Sequence, residues 1–77
     1  CYVKVLVDKS RRNLVVGIHI LSPSAGEIMG GFAVAMRMGM TLRDLTTTVG
    51  IHPTMSEALT LLSVTKRSGD SPEKKGC

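Results

Sequence analysis

Aromatic residues are scarce in this 77-residue sequence, which has one tyrosine, Tyr2, one phenylalanine, Phe32, and no tryptophan. Proteins that bind single-stranded nucleic acids stack the bases on aromatic side chains beside a basic groove. The formal net charge is +4, but the basic residues stand in scattered pairs such as Arg11 with Arg12. The sequence therefore predicts no nucleic-acid partner.

Cysteine is equally rare, with Cys1 and Cys77 at opposite ends and the two histidines, His19 and His52, scattered between them. Structural zinc sites use short paired spacings such as Cys-x-x-Cys, and disulfide frameworks need more cysteines. We therefore expect neither a metal site nor a disulfide framework. Cys77 follows a polar segment, so we expect its thiol to be accessible.

Long apolar runs and nucleotide-binding glycine motifs are also missing. The weakly charged stretch of residues 25–41 contains Glu27 and Arg37 and falls short of the ~20 apolar residues of a membrane helix. No phosphate loop or Gly-x-Gly-x-x-Gly pattern occurs, so the chain is not expected to bind a nucleotide unaided. The first residues already have a strand pattern, and we expect that part of the protein precedes them.

The chain does contain the pattern of a small α+β domain, with 43% hydrophobic and 21% charged residues. Residues 2–7 and 14–21 are rich in β-branched and other apolar residues, and the polar turn 8–13 separates them. This pattern predicts an antiparallel hairpin. Because a two-stranded hairpin is not stable alone in water, the remaining strands of the sheet are expected upstream of residue 1.

Three capping-box patterns, each a Ser or Thr followed three residues later by an acidic residue, predict three helices: 25–38 after Ser24, 42–46 after Thr41, and one from Thr54 to about Val64. The first helix is apolar almost all round, so we expect it to be buried on several sides. Gly30 and Gly31 in its middle favour the close approach of another backbone or a ligand. Because the chain turns polar after Val64, we expect a partial domain over 1–64 and a flexible arm over 65–77.

One histidine has a setting that suits acid–base chemistry. His52 precedes Pro53, which disfavours helical geometry at the histidine, and Glu57 follows on the first turn of the third predicted helix. A carboxylate that accepts the Nδ1 proton of an imidazole leaves Nε2 free to exchange protons near neutral pH. The alternative is structural, with Glu57 as the acidic member of the Thr54 capping box and His52 as an ordinary surface residue.

Several motifs together carry a family likeness. Gly-Ile-His-Ile-Leu at 17–21, Gly-Phe-Ala-Val-Ala-Met-Arg-Met-Gly at 31–39, and Gly-Ile-His-Pro-Thr at 50–54 with Glu57 resemble the C-terminal interface domain of the flavin-dependent pyridine-nucleotide disulfide reductases. The chain end, at 62–69 and 76–77, most resembles the animal-type thioredoxin reductases and their glutaredoxin-fused relatives. The likeness covers essentially the whole chain. It implies an enzyme that is active only at full length, with FAD and NADP bound mainly by earlier domains.

The resemblance also implies roles for individual residues. His52 would be a catalytic acid–base that reaches the active site of the opposite subunit of a homodimer, with Glu57 orienting its ring. There it would exchange a proton with a thiol of a redox-active dithiol that lies near the flavin, in a part of the enzyme that precedes this domain. The backbone at His52 and Pro53 would contact the partner's flavin. Cys77 matches the cysteine of a Gly-Cys-selenocysteine-Gly or Gly-Cys-Cys-Gly end that passes electrons to thioredoxin, although no second redox residue follows it in this sequence. Such thiol chemistry suits the cytoplasm or mitochondria.

Two other interpretations remain open. The chain could be a dimerisation module without a catalytic role, or the interface domain of a glutathione or trypanothione reductase, which has no redox arm.

Overall fold

The computed structural model describes residues 2–63 and Thr65. In chain order, these residues form β1 (Tyr2–Asp8), a 3-10 turn (Lys9–Arg11), β2 (Leu14–Leu21), α1 (Ala25–Arg37), α2 (Leu42–Thr47) and a second 3-10 turn (Ser56–Leu59). The two strands pair in an antiparallel sheet, so the predicted α+β class and hairpin are confirmed. None of the helices in this part of the chain is long and apolar enough to cross a membrane.

The hairpin presents one apolar face to the interior. Three cross-strand pairs form this face: Val3 with Ile20, Val5 with Ile18, and Val7 with Val15. The register shifts between Leu6 and Val7, so that β2 contains one extra residue at this point. This bulge places Val15 and Ile18, which are three residues apart, on the same face of the sheet. The opposite face carries exposed side chains, including Lys4 opposite His19.

A charged turn connects the strands. The carboxylate of Asp8 accepts hydrogen bonds from the backbone and hydroxyl groups of Ser10, at 3.0 and 2.6 Å, and from Nε of Arg11 at 2.8 Å. The hydrogen bonds from Ser10, and then that from Arg11, hold the pKa of Asp8 below its ordinary value. The side chain therefore stays ionised at neutral pH and keeps the turn closed.

The core lies between the inner face of the hairpin and the helices. Its buried cluster is Val15, Met40, Leu45 and Leu59, and residues of α1 such as Phe32 and Met36 pack against it. Leu59 has no exposed surface. Since Leu45 belongs to α2 and Leu59 to the second 3-10 turn, the core anchors both ends of the segment that connects these elements.

Helix α1 differs from its prediction in two respects. Ser24 makes no side-chain hydrogen bond to the helix start, so the capping box predicted there is wrong, and the backbone carbonyl of Ser24 accepts the N–H of Glu27 instead, at 3.0 Å. Only one side of α1 packs on the core, while Val34 and Met38 on its outer side are 63% and 83% exposed. Within the described chain, the expected burial on several sides is therefore not present. The helix ends as predicted, since Gly39 follows it with a φ of +86°.

The other two capping boxes have different outcomes. The box of Thr41 and Asp44 is complete, and α2 extends one residue beyond its predicted end. The helix predicted from Thr54 to Val64 is wrong, because the chain makes one 3-10 turn that ends at Leu59. The hydroxyl of Thr54 does accept the N–H of Glu57, at 3.3 Å, but the Glu57 carboxylate contacts His52. The predicted end at Val64, and the arm at 65–77 apart from Thr65, lie outside the described residues.

Candidate functional site

The candidate site lies on the loop that connects α2 to the second 3-10 turn. The hydroxyl of Thr54 donates a hydrogen bond to the carbonyl of Ile51 at 2.6 Å, which closes the chain around His52 and Pro53. The peptide bond between His52 and Pro53 is cis. Val49 and Ile51 are 91% and 75% exposed. Both elements that flank the loop are anchored in the core. The loop between them therefore has a fixed base, and His52 projects outward from it.

The imidazole of His52 contacts one carboxylate. Its Nδ1 atom lies 3.2 Å from Oε1 of Glu57, and the two side chains differ greatly in exposure, at 81% for His52 and 15% for Glu57. An ionised carboxylate can only accept hydrogen bonds, so the Nδ1 atom carries the proton in this contact. In the neutral ring, Nε2 is then the atom that accepts a proton from a neighbouring molecule.

The energetic value of this contact is small, since ion pairs with an exposed partner contribute only ~0–1 kcal/mol to stability. Its chemical consequence is larger. A half-buried carboxylate fixes both the tautomer and the orientation of an exposed ring, and these are the conditions that an acid–base histidine requires.

Glu57 is itself held by its surroundings. Its backbone N–H donates to the hydroxyl of Thr54, and its backbone carbonyl accepts a hydrogen bond of 2.7 Å from the hydroxyl of Thr60. Gly50 lies against its side chain. Gly50 belongs to the Gly-Ile-His-Pro-Thr motif, but its contact with Glu57 was not predicted, and neither was that of Thr60. The available signal was a glycine two residues before the His-Pro pair and a threonine three residues after the acid.

The structure brings together two of the residues selected from the sequence, His52 and Glu57, and places Pro53 beside them. Cys77, the third predicted catalytic residue, lies outside the described residues. In the range 2–63, no group of three or more His, Cys, Asp or Glu side chains could hold a metal ion.

The exposed residues of this loop suit contact with one side of a flavin ring, but not binding of the whole cofactor. Ile51, His52 and Pro53 are all exposed, so one side of a flat ring could rest on them. The chain has no glycine motif for the phosphates of a dinucleotide. His52 and Pro53 therefore suit contact with a cofactor that other parts of a protein hold.

Comparisons with known proteins agree on one family. Residues 1–63 match the family described as pyridine nucleotide-disulphide oxidoreductase, dimerisation domain. All 77 residues align at 52% identity with thioredoxin reductase SEP1 of Emiliania huxleyi and at 46% identity with the mitochondrial thioredoxin reductase 2 of Drosophila melanogaster. The chain spans only 16% and 15% of the lengths of these relatives.

Proposed function

The chain belongs to the dimerisation-domain family of the pyridine nucleotide-disulphide oxidoreductases, and from this premise we propose that it serves as the C-terminal part of an NADPH-dependent thioredoxin reductase. The observation that carries the proposal is the contact of 3.2 Å between Nδ1 of the exposed His52 and the half-buried Glu57. High identity to two thioredoxin reductases over the whole chain supports it.

In this proposal, His52 moves a proton at Nε2. It accepts the proton of an attacking thiol in the partner's active site and returns it to the sulfur that leaves when a disulfide is reduced. Glu57 accepts a hydrogen bond from Nδ1–H throughout and stabilises the imidazolium form. FAD, bound by other parts of the full-length chain, would supply the electrons that it receives from NADPH. His52 and Pro53 would contact its ring from one side.

The outer side of α1 supports a homodimer. Val34 and Met38 expose apolar side chains there, and a Cβ atom built on Gly30 has no other atom within 4 Å. A helix with a glycine and exposed apolar residues on one side allows a second backbone to approach closely. In a two-fold dimer, a contact that His52 makes with the other subunit occurs twice, once from each subunit.

The last part of the proposal concerns residues beyond the described range. Cys77 would pass electrons to thioredoxin by thiol–disulfide exchange, together with a selenocysteine or cysteine that the family pattern places after it. Lys74 and Lys75 stand close to it in the sequence, and cations beside a thiol stabilise the thiolate that takes part in disulfide exchange. The cytoplasm or the mitochondria would be the compartment.

Replacing Glu57 with glutamine in the full-length dimer tests the role of the carboxylate. The amide keeps the shape and can still accept from Nδ1, but it lacks the negative charge that stabilises the imidazolium. We expect kcat for thioredoxin reduction to fall on the order of tenfold. Reduction of the flavin by NADPH should not change, because that step precedes the proton transfer. A variant with wild-type kcat would show that the negative charge of Glu57 has no part in the reaction.

A further inference from the structure

We propose that Gly50 and Thr60 are positioning residues, which hold the carboxylate of Glu57 against the His52 ring, and that this arrangement requires residue 50 to lack a side chain. The inference rests on the proposed acid–base role of His52. It adds to that role a structural reason for the position of Glu57.

The packing around Gly50 leaves no room for a methyl group. A Cβ atom built on Gly50 would lie 2.9 Å from Cγ and 3.2 Å from Cβ of Glu57, and 2.8 Å from the hydroxyl oxygen of Thr60. Separations below 3.0 Å are far inside the ~3.5–4.0 Å at which non-bonded carbon atoms attract each other. The backbone of the loop therefore rests directly on the stem of the Glu57 side chain.

Neither neighbour can move without affecting the site. The hydroxyl of Thr60 is fixed by its hydrogen bond of 2.7 Å to the Glu57 carbonyl. Cγ of Glu57 is bonded to the carboxyl carbon, so a displacement of Cγ also displaces Oε1. The contact from Oε1 to Nδ1 of His52 is 3.2 Å long, at the upper end of the range for such a hydrogen bond. A shift of a few tenths of an ångström away from the ring would break it.

Other glycines in the described chain are not packed so closely against residues of the candidate site. A Cβ atom built on Gly26, Gly30 or Gly31 meets no atom within 4 Å, and one built on Gly17 comes within 3.2 Å of the end of the Leu6 side chain, on the outer face of the hairpin. The close approach at Gly50 thus involves the candidate site itself. Gly17 provides a matched position at which a methyl group contacts only a flexible side chain.

The test uses the full-length, flavin-loaded dimer with Gly50→Ala. We expect kcat/KM for thioredoxin to fall about five- to tenfold, and the pH profile of kcat to shift to the position that it has in Glu57→Ala. In the Glu57→Ala background, Gly50→Ala should add less than about a twofold change, because its effect passes through the missing carboxylate. Gly17→Ala should keep both the turnover and the pH profile of the wild type.

Two results would overturn the inference: a Gly50→Ala enzyme with the wild-type pH profile, or an effect that adds in full to that of Glu57→Ala. If Gly50→Ala does not yield a folded dimer, Thr60→Val takes its place, since it keeps the volume and removes the hydrogen bond to Glu57. We expect a smaller shift of the profile in the same direction, and an unchanged profile would equally contradict the inference. If Glu57→Ala and His52→Gln themselves leave turnover unchanged, the proposed function fails and not only the role of Gly50.

Discussion

Replacing His52 with glutamine in the full-length dimer is expected to lower NADPH-dependent reduction of thioredoxin by a factor on the order of 10² or more. Glutamine can still donate a hydrogen bond to the Glu57 carboxylate, but it cannot take up and release a proton near neutral pH. Steady-state turnover measures the loss. The rate at which NADPH reduces the flavin should stay at its wild-type value, since no proton passes through His52 in that step.

The chain offers a matched control in its other histidine. His19 lies on β2, opposite Lys4, and is exposed on the outer face of the hairpin. His19→Gln should therefore leave turnover unchanged. If His52→Gln also leaves it unchanged, the chain is a dimerisation module in which the contact between His52 and Glu57 only stabilises the loop.

Replacing Cys77 with serine should have an effect of similar size on a different step. Serine has no sulfur to take part in disulfide exchange, so we expect thioredoxin reduction to fall by at least ~10²-fold. NADPH should still reduce the flavin and the disulfide next to it, because these steps come before the transfer of electrons to the arm. Stopped-flow absorbance of the flavin, compared with thioredoxin turnover, separates the two parts of the reaction.

Cys1 serves as the control for loss of a thiol as such. It precedes β1, and Cys1→Ser should leave thioredoxin reduction at its wild-type rate. Full thioredoxin turnover by Cys77→Ser would contradict the proposed arm. It would support the alternative of a glutathione or trypanothione reductase, for which the residues after Thr65 carry no redox function.

Elements that depend on local signals could be predicted from the sequence. The hairpin follows from two β-rich runs around a polar turn, and α2 from a complete capping box at Thr41. The bulge in β2 could not be predicted, because it depends on tertiary packing: it allows both Val15 and Ile18 to face the core. The box at Ser24 failed since the backbone carbonyl of Ser24, and not its hydroxyl, accepts the N–H of Glu27.

The candidate site also combines features that the sequence indicates with features that only the folded structure shows. The spacing of His52 and Glu57 allowed a contact between the two side chains, because only four residues separate them, but it left a capping role for Glu57 open as the alternative. The helix predicted after Thr54 was wrong: the chain makes a single 3-10 turn there, and the Glu57 carboxylate contacts the imidazole. The contacts of Gly50 and Thr60 with Glu57 could not be predicted, because they exist only once the loop folds back on the 3-10 turn.

Hybrid dimers test whether His52 acts on a sulfur of the opposite subunit. One subunit carries His52→Gln, and the other lacks its redox-active dithiol, so each homodimer is inactive. After dissociation and random reassociation at equal amounts, roughly half of the dimers are hybrids with one intact site, and roughly a quarter of the wild-type activity should return. If no activity returns, His52 serves its own subunit or none, and the account is wrong.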